Sequence, residues 1–272
     1  MIRDITIGQY YPGKSVLHNL DPRVKLIATF WLIIVIFLCK SFFSLGLIAL
    51  TAVFAAALSK VPPKMILKSL KPIVIILVFT AILNVFYTTG GDETYFAWKS
   101  IEITEKGVNT AIFTMIRIVS LVVISSLLTY TTTPTMLTAA LERILSPLKV
   151  FKIKVHTLAM MMTLALRFIP TLIEEIDRIM NAQKARGADL ESGGIIQRAK
   201  ALVPIFIPLM VSSFRRAYEL AFAMTCRCYT GGEGRTRMKQ MKIAFRDIVA
   251  VLFCVALTAG VIVLNHYFDA VI

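Results

Sequence analysis

Five stretches of this chain are apolar over most of a bilayer's thickness: Val24–Cys39, Phe42–Leu58, Pro72–Tyr87, Ala111–Tyr130 and Ile248–Leu264. Hydrocarbon offers no partner to a backbone N–H or C=O, so a spanning segment must satisfy these groups internally, as a helix does. Composition agrees. Of 272 residues 57% are hydrophobic and mean hydropathy is +0.75, more apolar surface than a water-soluble chain can hide. Several stretches fall short of the ~20 residues of a comfortable span, so helices extended beyond them, or local thinning, are expected. Only Lys40 and Ser41 join the first two, which predicts a tight helical hairpin. The start is polar through Lys25 and no small-residue cleavage site follows, unlike a cleavable signal peptide.

Charge between the spans predicts sidedness. Residues 1–25 carry four basic and two acidic groups, and Lys60, Lys64, Lys68 and Lys71 come without an acid among them. Segment 131–246 holds 18 basic against 8 acidic residues, whereas 90–106 holds Asp92, Glu93, Glu102 and Glu105 against Lys99 and Lys106. Basic loops stay cytoplasmic. The N-terminus and 131–246 are therefore expected inside, and 90–106 and the C-terminus outside. The net charge of +14 is thus placed as a sidedness signal rather than as a nucleic-acid surface. The alternation in GGDETYFAWKSIEI predicts a small external hairpin.

Segment 131–246 is too long for a loop and too apolar for a solvated linker. TMLTAALERILSPLKVF spaces Met136, Ala140, Ile144 and Leu148 as a short amphipathic helix. Two runs of about thirty residues follow, one interrupted only by Pro170, the other by Pro204 and Pro208. Each begins apolar and ends polar, the gradient of long helices that start against lipid-facing material and project towards the cytosol. The predicted fold is all-α: about five transmembrane helices plus a cytoplasmic coupling domain of one short and two long helices. Its parts are 1–130 with four spans, 131–246, and 247–272 with the last span. With a shift of 41 residues, Arg186 falls on Arg227, Ala182 on Ala223, Ala185 on Cys226 and Gly187 on Cys228. Each Arg stands in a last helical turn beside small residues. There it is either a basic cap on the helix dipole or an exposed fork of donors for another surface.

Other motifs carry less. GQYYPGKS, Gly8 to Ser15, fits the phosphate-loop pattern G-x-x-x-x-G-K-[ST]. Tyr10 and Tyr11 crowd it, Pro12 lacks an N–H where donors are needed, and Asp21-Pro22 soon disfavours helix. No apolar strand ending in Asp-Glu accompanies it. Cys226 and Cys228 form a lone C-x-C without a nearby His, so they are expected as reduced thiols rather than zinc ligands. Met160–Met162 and Met210 suit an adaptable packing surface. A membrane-embedded enzyme would need carboxylates, His or metal ligands near the spans. The spans offer Thr80, Asn84 and Arg117, and His18, His156 and His266 are scattered. A self-sufficient carrier would need polar faces or broken helices at the midplane, and these spans are almost uniformly apolar.

Three segments together resemble a known family. YYPGKSVLHNLDPRVK is similar to the opening signature of the transmembrane T component of energy-coupling factor (ECF) transporters. LRFIPTLIEEIDRIMNAQKARGAD, with Ala185-Arg186-Gly187, and FRRAYELAFAMTCRCY, with Cys226-Arg227-Cys228, resemble its two coupling motifs. The second departs from Ala-Arg-Gly, having cysteines at both flanking positions. The resemblance implies a non-catalytic, multi-pass scaffold in a prokaryotic cell membrane, within a vitamin or metal-ion importer. It implies two ABC ATPase partners docked at Arg186 and Arg227, and a separate substrate-binding membrane subunit that topples as the ATPases close. ATP and Mg would be bound by the partner ATPases, with no cofactor in this chain.

Overall fold

A computed structural model describes residues 10–87, 94–98, 101–151, 154–188, 194–231 and 243–268. The described helices are α1 (Pro22–Leu38), α2 (Phe42–Ser59), α3 (Pro63–Leu70), α4 (Val74–Tyr87), α5 (Glu105–Thr131), α6 (Pro134–Ile144), α7 (Val155–Ala185), α8 (Ile195–Cys226) and α9 (Phe245–Tyr267). Between α4 and α5, strands β1 (Thr94–Trp98) and β2 (Ile101–Thr104) pair antiparallel, with Phe96 opposite Ile103 and Trp98 opposite Ile101. The hairpin expected from the alternation is therefore present. Apart from it, the described elements are helical.

Among the described residues, five helices are long and apolar enough to cross a membrane: Phe42–Ser59, the nearly continuous Pro63–Tyr87, Glu105–Thr131, Val155–Ala185 and Phe245–Tyr267. The number matches the sequence expectation, but the membership differs. α1 is short at 17 residues. α7 qualifies by length and composition because its first half, from Val155 to Leu172, carries Arg167 as its sole Lys, Arg, Asp or Glu. Its acids and bases crowd into the second half. The spans read from α3–α4, α5 and α9 are extended at their ends, as short apolar stretches demand.

The described residues divide into two compact units, one within Leu141–Lys239 and one within Thr6–Ala140 and Gln240–Ile272. In the second, α1, α2, α5 and α9 enclose a core of Val35, Ile36, Leu45, Ile48, Ala52, Phe113 and Val261. Helices in lipid associate through close packing and polar contacts rather than hydrophobic exclusion. Among the described residues, Trp31 donates to the Thr258 hydroxyl at 2.9 Å between the middles of α1 and α9, and further polar contacts stand towards the two ends of the bundle. At one end, Asn265 near the end of α9 accepts from Lys40 N–H at 3.1 Å and donates to the Leu38 carbonyl at 2.8 Å. Arg117 donates to the Cys39 carbonyl at 2.8 Å and lies over the Phe113 ring, its Cζ 4.7 Å from the centroid. This intramembrane cation therefore caps the α1 C-terminus, where a helix dipole favours positive charge.

The opposite end is tied by Asp247, which is 2% exposed. Its Oδ1 accepts from Asp21 N–H and its Oδ2 from Ala244 N–H, both at 2.8 Å, so one carboxylate joins the starts of α1 and α9. Asp21 in turn caps α1 by accepting from Arg23 N–H at 2.9 Å. Buried Lys25 donates to the carbonyls of His18 at 3.2 Å and Thr131 at 3.0 Å, placing its charge at the C-terminus of α5. The starts of α1 and α9 and the end of α5 thus share one face of the bundle. The up-and-down alternation of the spans requires this.

The apparent phosphate loop belongs to this same end. Gly8 lies outside the described residues. His18 Nδ1 meets Ser15 Oγ at 2.7 Å, and its Nε2 meets the Tyr11 carbonyl at 2.9 Å. A carbonyl only accepts, so Nε2 carries the proton and Nδ1 accepts from the Ser15 hydroxyl. A Cβ on Gly13 would stand 3.0 Å from the His18 ring, which explains the glycine. Tyr11 N–H donates to the Tyr130 carbonyl at 3.0 Å, fastening the loop to α5. The hydroxyl that would face Mg²⁺ in a nucleotide loop is committed to His18, and turns rather than a helix follow it.

Candidate functional site: two arginine-tipped helix ends

α7 and α8 run 31 and 32 residues and form an antiparallel pair. Three contacts define the direction. Gln183 near the end of α7 reaches the Pro204 carbonyl in the first third of α8, at 3.3 Å. Tyr229, just past α8, donates to Met160 Sδ near the start of α7, at 2.8 Å. Midway, Arg216 pairs with Glu175. The first contact also meets a backbone need: Pro208 has no N–H to bond the Pro204 carbonyl, and the Gln183 amide supplies one.

The polarity gradient predicted two helices projecting the same way. The contacts correct this, because the connection between Arg186 and Gly194 is short and favours antiparallel neighbours. Glu175 and Arg216 each precede their helix's terminal arginine by eleven residues (175 to 186, 216 to 227). At 1.5 Å per residue this sets the two tips at opposite ends of the pair, on the order of 35 Å apart.

The two helix ends are built alike. At α7, Gly187 N–H donates to the Lys184 carbonyl at 3.0 Å and Ala188 N–H to the Gln183 carbonyl at 3.0 Å. At α8, Cys228 N–H donates to the Thr225 carbonyl at 2.9 Å and Tyr229 N–H to the Met224 carbonyl at 3.0 Å. Both are Schellman endings, in which the residue after the cap turns left-handed. Gly187 has φ +84°, while Cys228 adopts φ +55° without glycine's freedom. The tight ending that glycine favours is formed at Cys228 too.

Each terminal arginine is the cap residue, with Arg186 at φ −83° and Arg227 at φ −91°. Ala185, Arg186, Gly187, Cys226, Arg227 and Cys228 are all exposed. Among the described residues neither guanidinium has a hydrogen-bond or ion-pair partner. Cys226 and Cys228 are free thiols. Among the described residues no group of three His, Cys, Asp or Glu is placed to hold a metal ion. His156 instead pairs with Glu142 at 3.0 Å. The sequence places both arginines at helix ends, where the structure has them, but gives no sign of Lys25 or the Glu175–Arg216 pair and little of Asp247. An Asp three residues after Ala244 was the one local signal for the last.

α8 also bears an uncovered apolar stripe. Val203, Ile207, Val211, Phe214, Tyr218 and Phe222 recur at three- and four-residue steps and are all exposed.

These features define a class: a multi-pass helical membrane protein that carries a long antiparallel helix pair with bare arginine tips. Residues 13–238 match the family described as CbiQ, cobalt transport protein. Three curated relatives each bear the name energy-coupling factor transporter transmembrane protein EcfT. The one from Ruminiclostridium cellulolyticum is 50% identical, over 98% of this chain and 100% of its own length. That from Clostridium kluyveri is 49% identical over 96% and 98%, and that from Bacillus subtilis 43% over 95% and 97%. The chain belongs to this family, the transmembrane T components of ECF transporters.

Proposed function

We propose that the chain is the non-catalytic membrane scaffold of an importer for a vitamin or metal ion. In this function two ABC ATPase subunits dock on Arg186 and Arg227, and a separate substrate-binding membrane subunit moves when they close. The observation that carries it is the duplicated ending: two Schellman caps with the same bonds, each presenting an exposed guanidinium. An arginine at a cap needs only a charge, but a planar fork beside small residues suits bidentate contact with carboxylates or carbonyls in a groove. Tips about 35 Å apart suit two partners better than one. Antiparallel helices braced at Glu175–Arg216 would transmit movement of either tip along the whole pair. The apolar stripe of α8 supplies a surface of the right character for a membrane-embedded partner. ATP and Mg²⁺ belong to the ATPases in this scheme, and this chain binds no cofactor. The basic face is cytoplasmic, so that 131–246 meets the ATPases, in a prokaryotic cell membrane with the C-terminus outside.

The test is the double substitution Arg186→Glu/Arg227→Glu in the assembled transporter. Removing one partner of a buried charged contact typically costs about 2–5 kcal/mol, much of it from the group left unpaired. Both ATPases should be lost on co-purification, with substrate uptake falling in parallel and the membrane part still folded. Arg→Lys, which keeps charge but loses the fork, should be intermediate. Full ATPase retention with normal uptake in the double variant would reduce both arginines to plain helix caps.

A further inference from the structure

α3 is a second cationic feature, distinct from the arginine tips. It follows α2 after Lys60 and the pair Pro62-Pro63, and no Asp or Glu occurs from Lys60 to Tyr87. Lys64, Lys68 and Lys71 stand at i, i+4 and i+7, on one face of a helix that continues through a 3₁₀ turn into α4. All three are exposed. Among the described residues none has a hydrogen-bond or ion-pair partner. Ile66 and Leu70 occupy the opposite face and are half-buried, whereas Leu67, at the flank of the lysines, is 64% exposed.

The ladder is fixed in place. Tyr130 donates its hydroxyl to the Met65 carbonyl at 3.1 Å, which holds α3 at the last turn of α5. That is the end of the bundle where Lys25 and Asp247 lie, so α3 sits at a membrane boundary. Lysines that served only to set sidedness would need neither a common face nor an exposed leucine beside them. An amphipathic element with cations on its outer face and apolar side chains beneath fits the headgroup–acyl boundary.

We propose that the Lys64–Lys68–Lys71 face of α3 is a binding site for anionic phospholipid headgroups, with Leu67 set against their acyl chains. Each lysine near an anionic surface strengthens binding about five-fold before screening. Three on one face make a local site rather than a diffuse field. The site does not depend on the ATPase docking proposed above.

The test is titration of phosphatidylglycerol, with phosphatidylcholine as neutral comparator, into the purified full chain in neutral detergent, read by native mass spectrometry. Lys64→Gln/Lys68→Gln/Lys71→Gln should weaken phosphatidylglycerol binding about 10-fold or more and leave phosphatidylcholine unchanged. The charge-matched control Lys154→Gln/Arg178→Gln/Lys200→Gln should stay within about two-fold of wild type, because those residues lie outside the ladder. Unchanged phosphatidylglycerol affinity in the ladder variant, or an equal loss in the control, overturns the site. Should the glutamine variant misfold, two measurements replace it. Lys64→Arg/Lys68→Arg/Lys71→Arg should bind as wild type. Raising salt from about 0.05 to about 0.5 M should release phosphatidylglycerol but not phosphatidylcholine from wild type. Retention of phosphatidylglycerol at high salt overturns the proposal equally.

Discussion

The end of the membrane bundle around Asp247 and the ends of α7 and α8 use the same kinds of residue to opposite effect. Asp247, Lys25, His18 and Ser15 all have partners on the chain itself, and the bonds of Asp247 to Asp21, of Lys25 to Thr131 and of Tyr11 to Tyr130 cross between separate elements. A polar group buried away from water must be satisfied, so this knot rigidifies the junction of α1, α5 and α9. Arg186 and Arg227 sit at caps whose backbone bonds are complete without them. Their side chains are therefore spare. Polar residues that hold a fold are used up by it, and those left over can be given to a partner.

The sharpest way to break this comparison is Asp247→Ala. It leaves the buried Asp21 N–H unpaired, at a cost of about 1–3 kcal/mol, and strips the exposed Ala244 N–H at the start of α9 of its partner. Thermal unfolding of the purified chain should show a large loss of stability, far beyond that of Arg186→Ala or Arg227→Ala. Equal losses would erase the distinction between knot and tips. Smaller and opposite in sign is Cys228→Gly. A left-handed residue other than glycine costs about 1–2 kcal/mol, so this change should raise the midpoint slightly and preserve ATPase binding. Lower stability would mean that the cysteine side chain does something its φ conceals. The smallest effect belongs to Lys14→Ala. Lys14 is exposed and the neighbouring serine is committed to His18, so nucleotide binding by the assembled transporter should not change. Loss of ATP labelling from this chain would restore the phosphate loop.

The membrane part was legible because its signal is local. Runs such as Val74–Tyr87 and Phe245–Tyr267 declare themselves by composition, and Lys40-Ser41 fixes a hairpin by its brevity. Helix limits were less legible, because polar residues beyond a span, Glu105 to Thr110 for example, continue the α5 helix without entering the apolar window. The N-terminal signature showed what it was not, through Pro12, but not what it does. Its partners Tyr130, Thr131 and Asp247 lie more than a hundred residues away, and no spacing rule reaches that far. The two arginine tips were visible because a 41-residue shift aligns them. Their placement at opposite ends of an antiparallel pair was not, since a gradient along each helix says nothing about relative direction. Contacts such as Gln183–Pro204 decide that.

The central claim is that each tip holds its own ATPase. Native mass measurement of the nucleotide-free transporter carrying Arg186→Glu alone, and Arg227→Glu alone, tests it most directly. Each variant should yield a species that has lost one ATPase and kept the other, with the lost subunit differing between variants if the two ATPases differ. Both ATPases retained in both variants, or both lost whichever arginine is changed, would contradict separate docking at the two helix ends.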